Sequence, residues 1–194
     1  MKVGLYGGTF DPLHNAHLII AQYIKEEFHL DKIIFIPCGL PPHKDVFSSK
    51  EVRLEMVQAS IADNPVFELS DIEVRSSITS YSVDTIKQIK DRRRANCPTF
   101  FWIIGSDNYL QFPQWKNPEK ILEMCDLIVF PRNHDDFERA PEEFKDHPAI
   151  HLINAPLIEI SSTQIRALVQ KERSIRYLVP AAVEAIIHSS HLYR

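Results

Sequence analysis

The stretch that most limits the choice of fold is residues 1–17, MKVGLYGGTFDPLHNAH. Lys2 to Tyr6 tend towards apolar β-formers, Gly7 and Gly8 break the run, and Leu18 opens a segment with helical spacing. The order predicts strand, glycine turn, helix. A helix entered this way begins with unpaired backbone N–H groups and a partial positive charge, so the turn suits a phosphate. If Asn15 or a neighbour caps the helix, His17 falls in its first turn and His14 just before it. Both imidazoles can then face the space above the strand end, where they would meet negative charge. A plain tight turn with two surface histidines is the other reading of the same residues. Neither the GxGxxG of dinucleotide folds nor the GxxxxGK[ST] of P-loops is present.

Downstream, strands and helices alternate. Ile20, Ile24 and Phe28 recur at four-residue spacing, and residues 32–37 (KIIFIP) read as a buried strand, which completes a βαβ unit. The loop from Cys38 to Ser49 holds Pro41-Pro42-His43-Lys44, either a solvated turn or, following a strand end, a stiffened ligand loop. Residues 51–62, with Val52, Met56, Ala59 and Ile61, are expected to form an amphipathic scaffold helix. Residues 66–74 give one or two short strands, and the hydroxyl-rich Ser76 to Ser82 leads into a helix ending near Lys90. Asp91 to Arg94 reads as a solvated basic helix end.

Residues 99–104 (TFFWII) are apolar on both faces, as a central strand requires, and end in Gly105-Ser106-Asp107. Asp107 suits ribose hydroxyls or the cap of a following helix. Trp115, in the turn Phe112-Pro113-Gln114-Trp115-Lys116, can stack on a flat ligand or cover the core edge. A short helix over 119–124 and a strand over 126–130 follow, with Arg132 beyond the strand end. Residues 133–148 read as a polar loop with a short helix near Glu142 to Lys145, before a strand over 150–153. Ser161 and Gln164 form a capping box, so a helix opens there with Ser162 and Arg166 near its start. The rest, including a helix over 181–188, reads as covering structure.

Such alternation predicts an α/β fold: a Rossmann-like, doubly wound parallel sheet with a helical C-terminal segment, residues 1–194 forming a single domain. With 44% apolar residues the chain can bury a core of that size. A formal net charge of −4 argues against a general nucleic-acid binder, so any phosphate site must be local. Cys38, Cys97 and Cys125 are scattered without CxxC spacing and indicate neither a disulfide framework nor a zinc site. With no signal-peptide core and no apolar run of membrane-spanning length, a cytoplasmic protein without a membrane partner is expected. Monomer and homo-oligomer are both left open.

A doubly wound sheet gathers groups from beyond its strand ends into one cleft. The candidates are Gly7 to Thr9, His14, His17, Lys44, Gly105, Asp107, Trp115, Arg132 and Ser161 to Arg166. Helix N-termini, imidazoles, cations and hydroxyls predominate. There is no Ser–His–Asp order, metal-ligand cluster or evident covalent nucleophile. The set suits stabilisation of phosphate charge, as in nucleotidyl transfer, where a phosphate nucleophile needs no base.

The motif GGTFDPLHNAH resembles the G-[TS]-F-D-P-x-H-x-G-H signature of nucleotidyltransferases, and ISSTQIR resembles their ISSTxxR element. Pro41 to Lys44, Ser80 to Thr85, Gly105 to Asp107, Phe112 to Trp115 and the final Leu192-Tyr193-Arg194 are similar to bacterial nicotinate-nucleotide adenylyltransferases, a likeness that spans almost the whole chain. It implies transfer of AMP from ATP, carrying Mg2+, to nicotinic acid mononucleotide, giving nicotinic acid adenine dinucleotide and pyrophosphate. His14, His17 and Arg166 would stabilise the phosphates, and Gly7, Gly8, Thr9, Phe10, Gly105, Ser161 and Ser162 would contact ATP. Lys44, Ser82, Asp107, Trp115, Lys116 and Arg132 would hold the mononucleotide, Lys44 at its phosphate and Trp115 on its pyridine ring. The chain departs from the pattern at Ala16 (usually Gly), Cys38-Gly39 (usually Asn after the strand), Lys116 (commonly aromatic) and Arg132-Asn133-His134 (usually Arg-Pro-Gly). Nicotinamide mononucleotide and phosphopantetheine remain alternative acceptors, a cytidylyltransferase is a more distant reading, and a non-catalytic nucleotide sensor is the alternative from another class.

Overall fold

The computed structural model describes residues 1–42, 45–93, 97–133 and 136–194. Six strands build one sheet: β1 (Lys2–Gly8), β2 (Lys32–Pro37), β3 (Phe67–Leu69), β4 (Thr99–Gly105), β5 (Asp126–Phe130) and β6 (Ile150–Leu152). They pair in parallel in the order β3-β2-β1-β4-β5-β6. Helices α1 (Asn15–Glu27), α2 (Lys50–Ile61), α3 (Ser82–Arg92), α4 (Ser106–Tyr109), α5 (Pro118–Met124), α6 (Ser162–Gln170) and α7 (Ala181–Ser189) connect and cover them.

Alternation along the strands sends side chains to two cores. Val3 and Leu5 of β1 and Phe100, Trp102 and Ile104 of β4 pack under α3 and α5. Tyr6, Phe101 and Ile103 pack under α1 and α2, against Ile20, Ile24 and Val57. Both faces of the central strands are therefore covered, as parallel pairing demands. A third cluster joins Met56 of α2 to Ile165 of α6 and to Val183 and Ile187 of α7. The strand order reverses between β1 and β4, and the carboxyl ends of these neighbours open the crevice where doubly wound sheets bind ligands.

Several expected boundaries shift. Gly7 and Gly8 do not make the turn; they continue β1, opposite Ile36 and Pro37 of β2. The chain turns instead at Phe10, with φ of 50°, and at Asp11-Pro12, whose peptide bond is cis. Glycine is needed at position 7 because a Cβ there would lie 2.7 Å from the Trp102 ring beneath it. Of the expected one or two strands over 66–74 only β3 forms. The short helix expected at Glu142 to Lys145 is a turn, and a 3-10 turn at Asp136–Arg139 precedes it. Arg93, placed by the sequence on a solvated helix end, donates to Glu68 of β3 at 2.8 Å, and Arg94 lies outside the described residues. Among the described residues no helix is long and apolar enough to cross a membrane.

Candidate active site

A cleft of about 710 Å³ lies over the carboxyl ends of β1 and β4. Its wall contains Gly7, Gly8, Thr9, Phe10, His14, His17, Ser82, Gly105, Asp107, Trp115, Lys116, Arg132, Ser161, Ser162 and Arg166, all singled out from the sequence. Lys44 lies outside the described residues.

At the β1 end, His14 is the N-cap of α1 and Asn15 its first residue. The backbone N–H of His14 donates to Nδ1 of His17 at 3.2 Å. Because Nδ1 accepts, a neutral His17 carries its proton on Nε2. Burial holds His14 down to about pH 3, with the Arg132 guanidinium adding to the effect. Burial also holds His17 well below its ordinary value, with His14 and Arg132 contributing. The pair therefore enters the cleft as neutral imidazoles, able to donate N–H bonds. Nδ1 of the buried His14 finds no partner among the described residues. Phe10, by contrast, packs its ring in the core against Tyr6, His17 and Phe35.

The start of α6 forms another part of the wall. Ser161 accepts from the N–H of Gln164 at 3.2 Å, and Gln164 Oε1 accepts from the N–H of Ser161 at 3.1 Å. This capping box fixes the helix entry. Two bonds then tie α6 to the loop after β1: Ser162 Oγ donates to the Pro12 carbonyl at 2.9 Å, and Arg166 Nη1 to the Asp11 carbonyl at 2.8 Å. The Arg166 guanidinium also lies 4.1 Å over the Phe47 ring. Residues some 150 positions apart are thereby fixed on a single hollow.

Beyond β4, Gly105 is the N-cap of α4, so Asp107 is inside the helix and not its cap. A Cβ at Gly105 would meet Asp107 Oδ1 at 2.5 Å and Arg132 Cγ at 2.9 Å, so only glycine lets these two side chains close in. Ser106 Oγ accepts from the N–H of Arg132 at 2.7 Å and holds it at the rim. Further out, Trp115 packs on Phe112 with ring centroids 5.5 Å apart. Lys116 pairs with Asp84 of α3 at 2.8 Å and stands 4.6 Å over the Tyr81 ring.

Reading the sequence missed Arg53. It sits on α2, taken there for plain scaffold, yet it is 1% exposed. Nη1 donates to the carbonyls of Thr9 and Cys38, and Nη2 to that of Gly39 at 3.0 Å. It thus joins the loops after β1 and β2 from below. Also missed was Trp102, which lines the cleft floor with an indole N–H that has no partner among the described residues.

A sequence model of the cytidylyltransferase-like family matches residues 5–168. The chain belongs to that family. Proteins named "Probable nicotinate-nucleotide adenylyltransferase" match it end to end. That of Caldicellulosiruptor saccharolyticus is 40% identical over all of both chains. That of Geotalea daltonii is 39% identical over all of this chain and 98% of its own. On this evidence of descent the chain lies on the nicotinate-nucleotide adenylyltransferase branch. The fold agrees with Plasmodium falciparum nicotinic acid mononucleotide adenylyltransferase complexed with NaAD, at a TM-score of 0.80 and 23% identity over 99% of this chain and 97% of that one.

Within this family pattern the departures fall unevenly. Ala16 is 1% exposed and packs in the core; it is not on the cleft wall, so its methyl group does not narrow the hollow. Cys38 is on the wall, and burial, reinforced by Glu73, pushes its thiol up to about 12, so it stays protonated. Lys116 is exposed at the cleft mouth and brings a cation where an aromatic ring is common. His134 lies outside the described residues. Among the described residues no group of three or more His, Cys, Asp or Glu gathers where it could hold a metal ion.

Proposed function

We propose that the chain transfers AMP from ATP to nicotinic acid mononucleotide, releasing pyrophosphate. The observation that carries this reading is the meeting of His14, His17 and Arg166 on one hollow, clamped by the Ser162–Pro12 and Arg166–Asp11 bonds. The N-terminal ends of two helices, α1 and α6, border the same space, and their dipoles add partial positive charge to it.

The mononucleotide phosphate attacks the α-phosphorus in line. It is already a nucleophile, so catalysis consists of positioning and of meeting the charge that passes to the leaving pyrophosphate. Arg166 supplies a planar cation and the imidazole N–H groups supply donors. Thr9 and the glycines before it let the nucleotide lie close to the backbone, with Ser161 and Ser162 also bordering it. Mg2+ arrives on the triphosphate as part of the substrate. On the acceptor side, Trp115 stacks on the pyridine ring, backbone N–H groups near Ser82 and Lys116 receive its carboxylate, and Asp107 takes ribose hydroxyls. Lys44 and Arg132 serve the acceptor's phosphate.

The test is pyrophosphate release from ATP and Mg2+ with each acceptor offered separately. Nicotinic acid mononucleotide should support turnover well above nicotinamide mononucleotide and phosphopantetheine. Faster turnover with either of the others would reassign the acceptor, and no release with any would make the cleft a nucleotide sensor.

A further inference from the structure

Asp11 is 3% exposed, and its carboxylate meets four donors. Oδ2 accepts from the backbone N–H of Phe47 at 2.6 Å and of Ser48 at 3.3 Å. Oδ1 accepts from Ser48 Oγ at 2.6 Å and from the Tyr193 hydroxyl at 2.6 Å. Four donors match the lone-pair sites of a carboxylate, so this buried group is satisfied only while all four are present. Tyr193 reaches it from the segment after α7, its ring packed in the cluster with Ile165, Val183 and Ile187. Burial, and then the bond to Asp11, raise the phenol well above its ordinary value, so it stays a donor.

The same aspartate governs Arg166 twice. Its carbonyl accepts from Arg166 Nη1 at 2.8 Å, and its carboxylate holds the amide of Phe47, whose ring lies 4.1 Å beneath the guanidinium. A donor lost from Oδ1 therefore loosens the one residue on which both supports of the cation rest. We propose that Tyr193 is a positioning residue of the nucleotidyl-transfer site: through Asp11 it sets where Arg166 stands over the triphosphate. It does not line the cleft, and it lies in the segment after α7. The inference rests on the reading that Arg166 meets the phosphates.

A coupled pair of substitutions tests it. Tyr193→Phe removes the hydroxyl and keeps the ring in its cluster. Arg166→Lys keeps a charge but loses the planar fork that the Asp11 carbonyl and the Phe47 ring hold. Tyr193→Phe should lower kcat by about tenfold, the scale of a misplaced catalytic group, with KM for the acceptor unchanged. In the Arg166→Lys background the same change should remove less than about a further twofold, because the group it positions is already gone. Wild-type kcat in Tyr193→Phe, or an equal loss in both backgrounds, would overturn the proposal, since a general structural defect is indifferent to residue 166. Should Tyr193→Phe not fold, Ser48→Ala, which strips the other hydroxyl from Oδ1, enters the same cycle: coupling to Arg166 supports the proposal and additivity sinks it. Wild-type turnover in Arg166→Lys alone is a separate failure, that of the Arg166 reading itself, and takes the inference with it.

Discussion

The imidazole rings of His14 and His17 stack with centroids 3.7 Å apart and planes 27° from parallel. Two imidazolium charges at that separation, taken out of water, would repel strongly, which is why neighbour and burial act in the same direction on His17. Stability should follow. His14 titrates near 3 when folded but close to its ordinary value when unfolded, so between these limits the unfolded chain binds more protons. The contribution is fully present above about pH 6.5 and is lost as the pH falls towards 3. Urea unfolding at pH 6.5 and 5 should show the free energy falling by up to about 1.4 kcal/mol per pH unit from such a group. His14→Gln should flatten that slope, and an unchanged slope would show that His14 is protonated in the folded protein.

His17 carries a separate expectation. With Nδ1 engaged by the His14 amide, its one free N–H, on Nε2, is the group available to a phosphate oxygen. His17→Ala should reduce kcat by about a hundredfold, as loss of one preorganised donor does at other sites of developing charge. KM for the mononucleotide should hold. Steady-state kinetics on a folded variant check it, and unchanged turnover would remove His17 from the chemistry.

What the sequence made legible was local. β2 and β5 fall on residues 32–37 and 126–130 because an apolar run bounded by polar residues identifies its own ends, and the Ser161–Gln164 capping box lies within four residues. The cleft wall was readable because motif residues follow the carboxyl ends of strands that the alternation sets parallel. Other features depend on partners distant in sequence. Gly7 looks like a turn residue until Trp102 packs against it from β4. Arg53 stands among charges on a helix whose periodicity does not show which of them is buried, because the three carbonyls it serves come from the loops after β1 and β2. Tyr193 is in the same position, with a partner 182 residues away.

Arg53 should prove indispensable to the fold of the nucleotide loop. No carboxylate among the described residues pairs with it; the carbonyls of Thr9, Cys38 and Gly39 take up its charge. Arg53→Met fills the volume but leaves three carbonyls without a donor, at about 1–3 kcal/mol for each one that stays buried and unpaired. Urea unfolding should show a loss of about 3 kcal/mol or more. Arg53→Lys should recover only part, because one ammonium cannot span three acceptors that a guanidinium fork reaches. A Met variant as stable as wild type would mean that water enters and takes over the carbonyls.

Lys116 should behave in the opposite way. Its pair with Asp84 joins side chains 45% and 52% exposed, where solvent screening leaves an ion pair little net worth. Lys116→Met should therefore shift the stability by less than about 1 kcal/mol. The ammonium nonetheless stands at the cleft mouth near Ser82 and Trp115, where an acidic pyridine substituent would arrive. Its removal should raise KM for nicotinic acid mononucleotide by about fivefold, a loss near 1 kcal/mol, and leave KM for ATP unchanged. Because the contribution is a screened charge, the difference between wild type and variant should shrink as salt is raised from 0.05 to about 0.5 M. A KM that does not move in low salt would leave the acid to the backbone N–H groups alone, and Lys116 to its contacts with Asp84 and Tyr81.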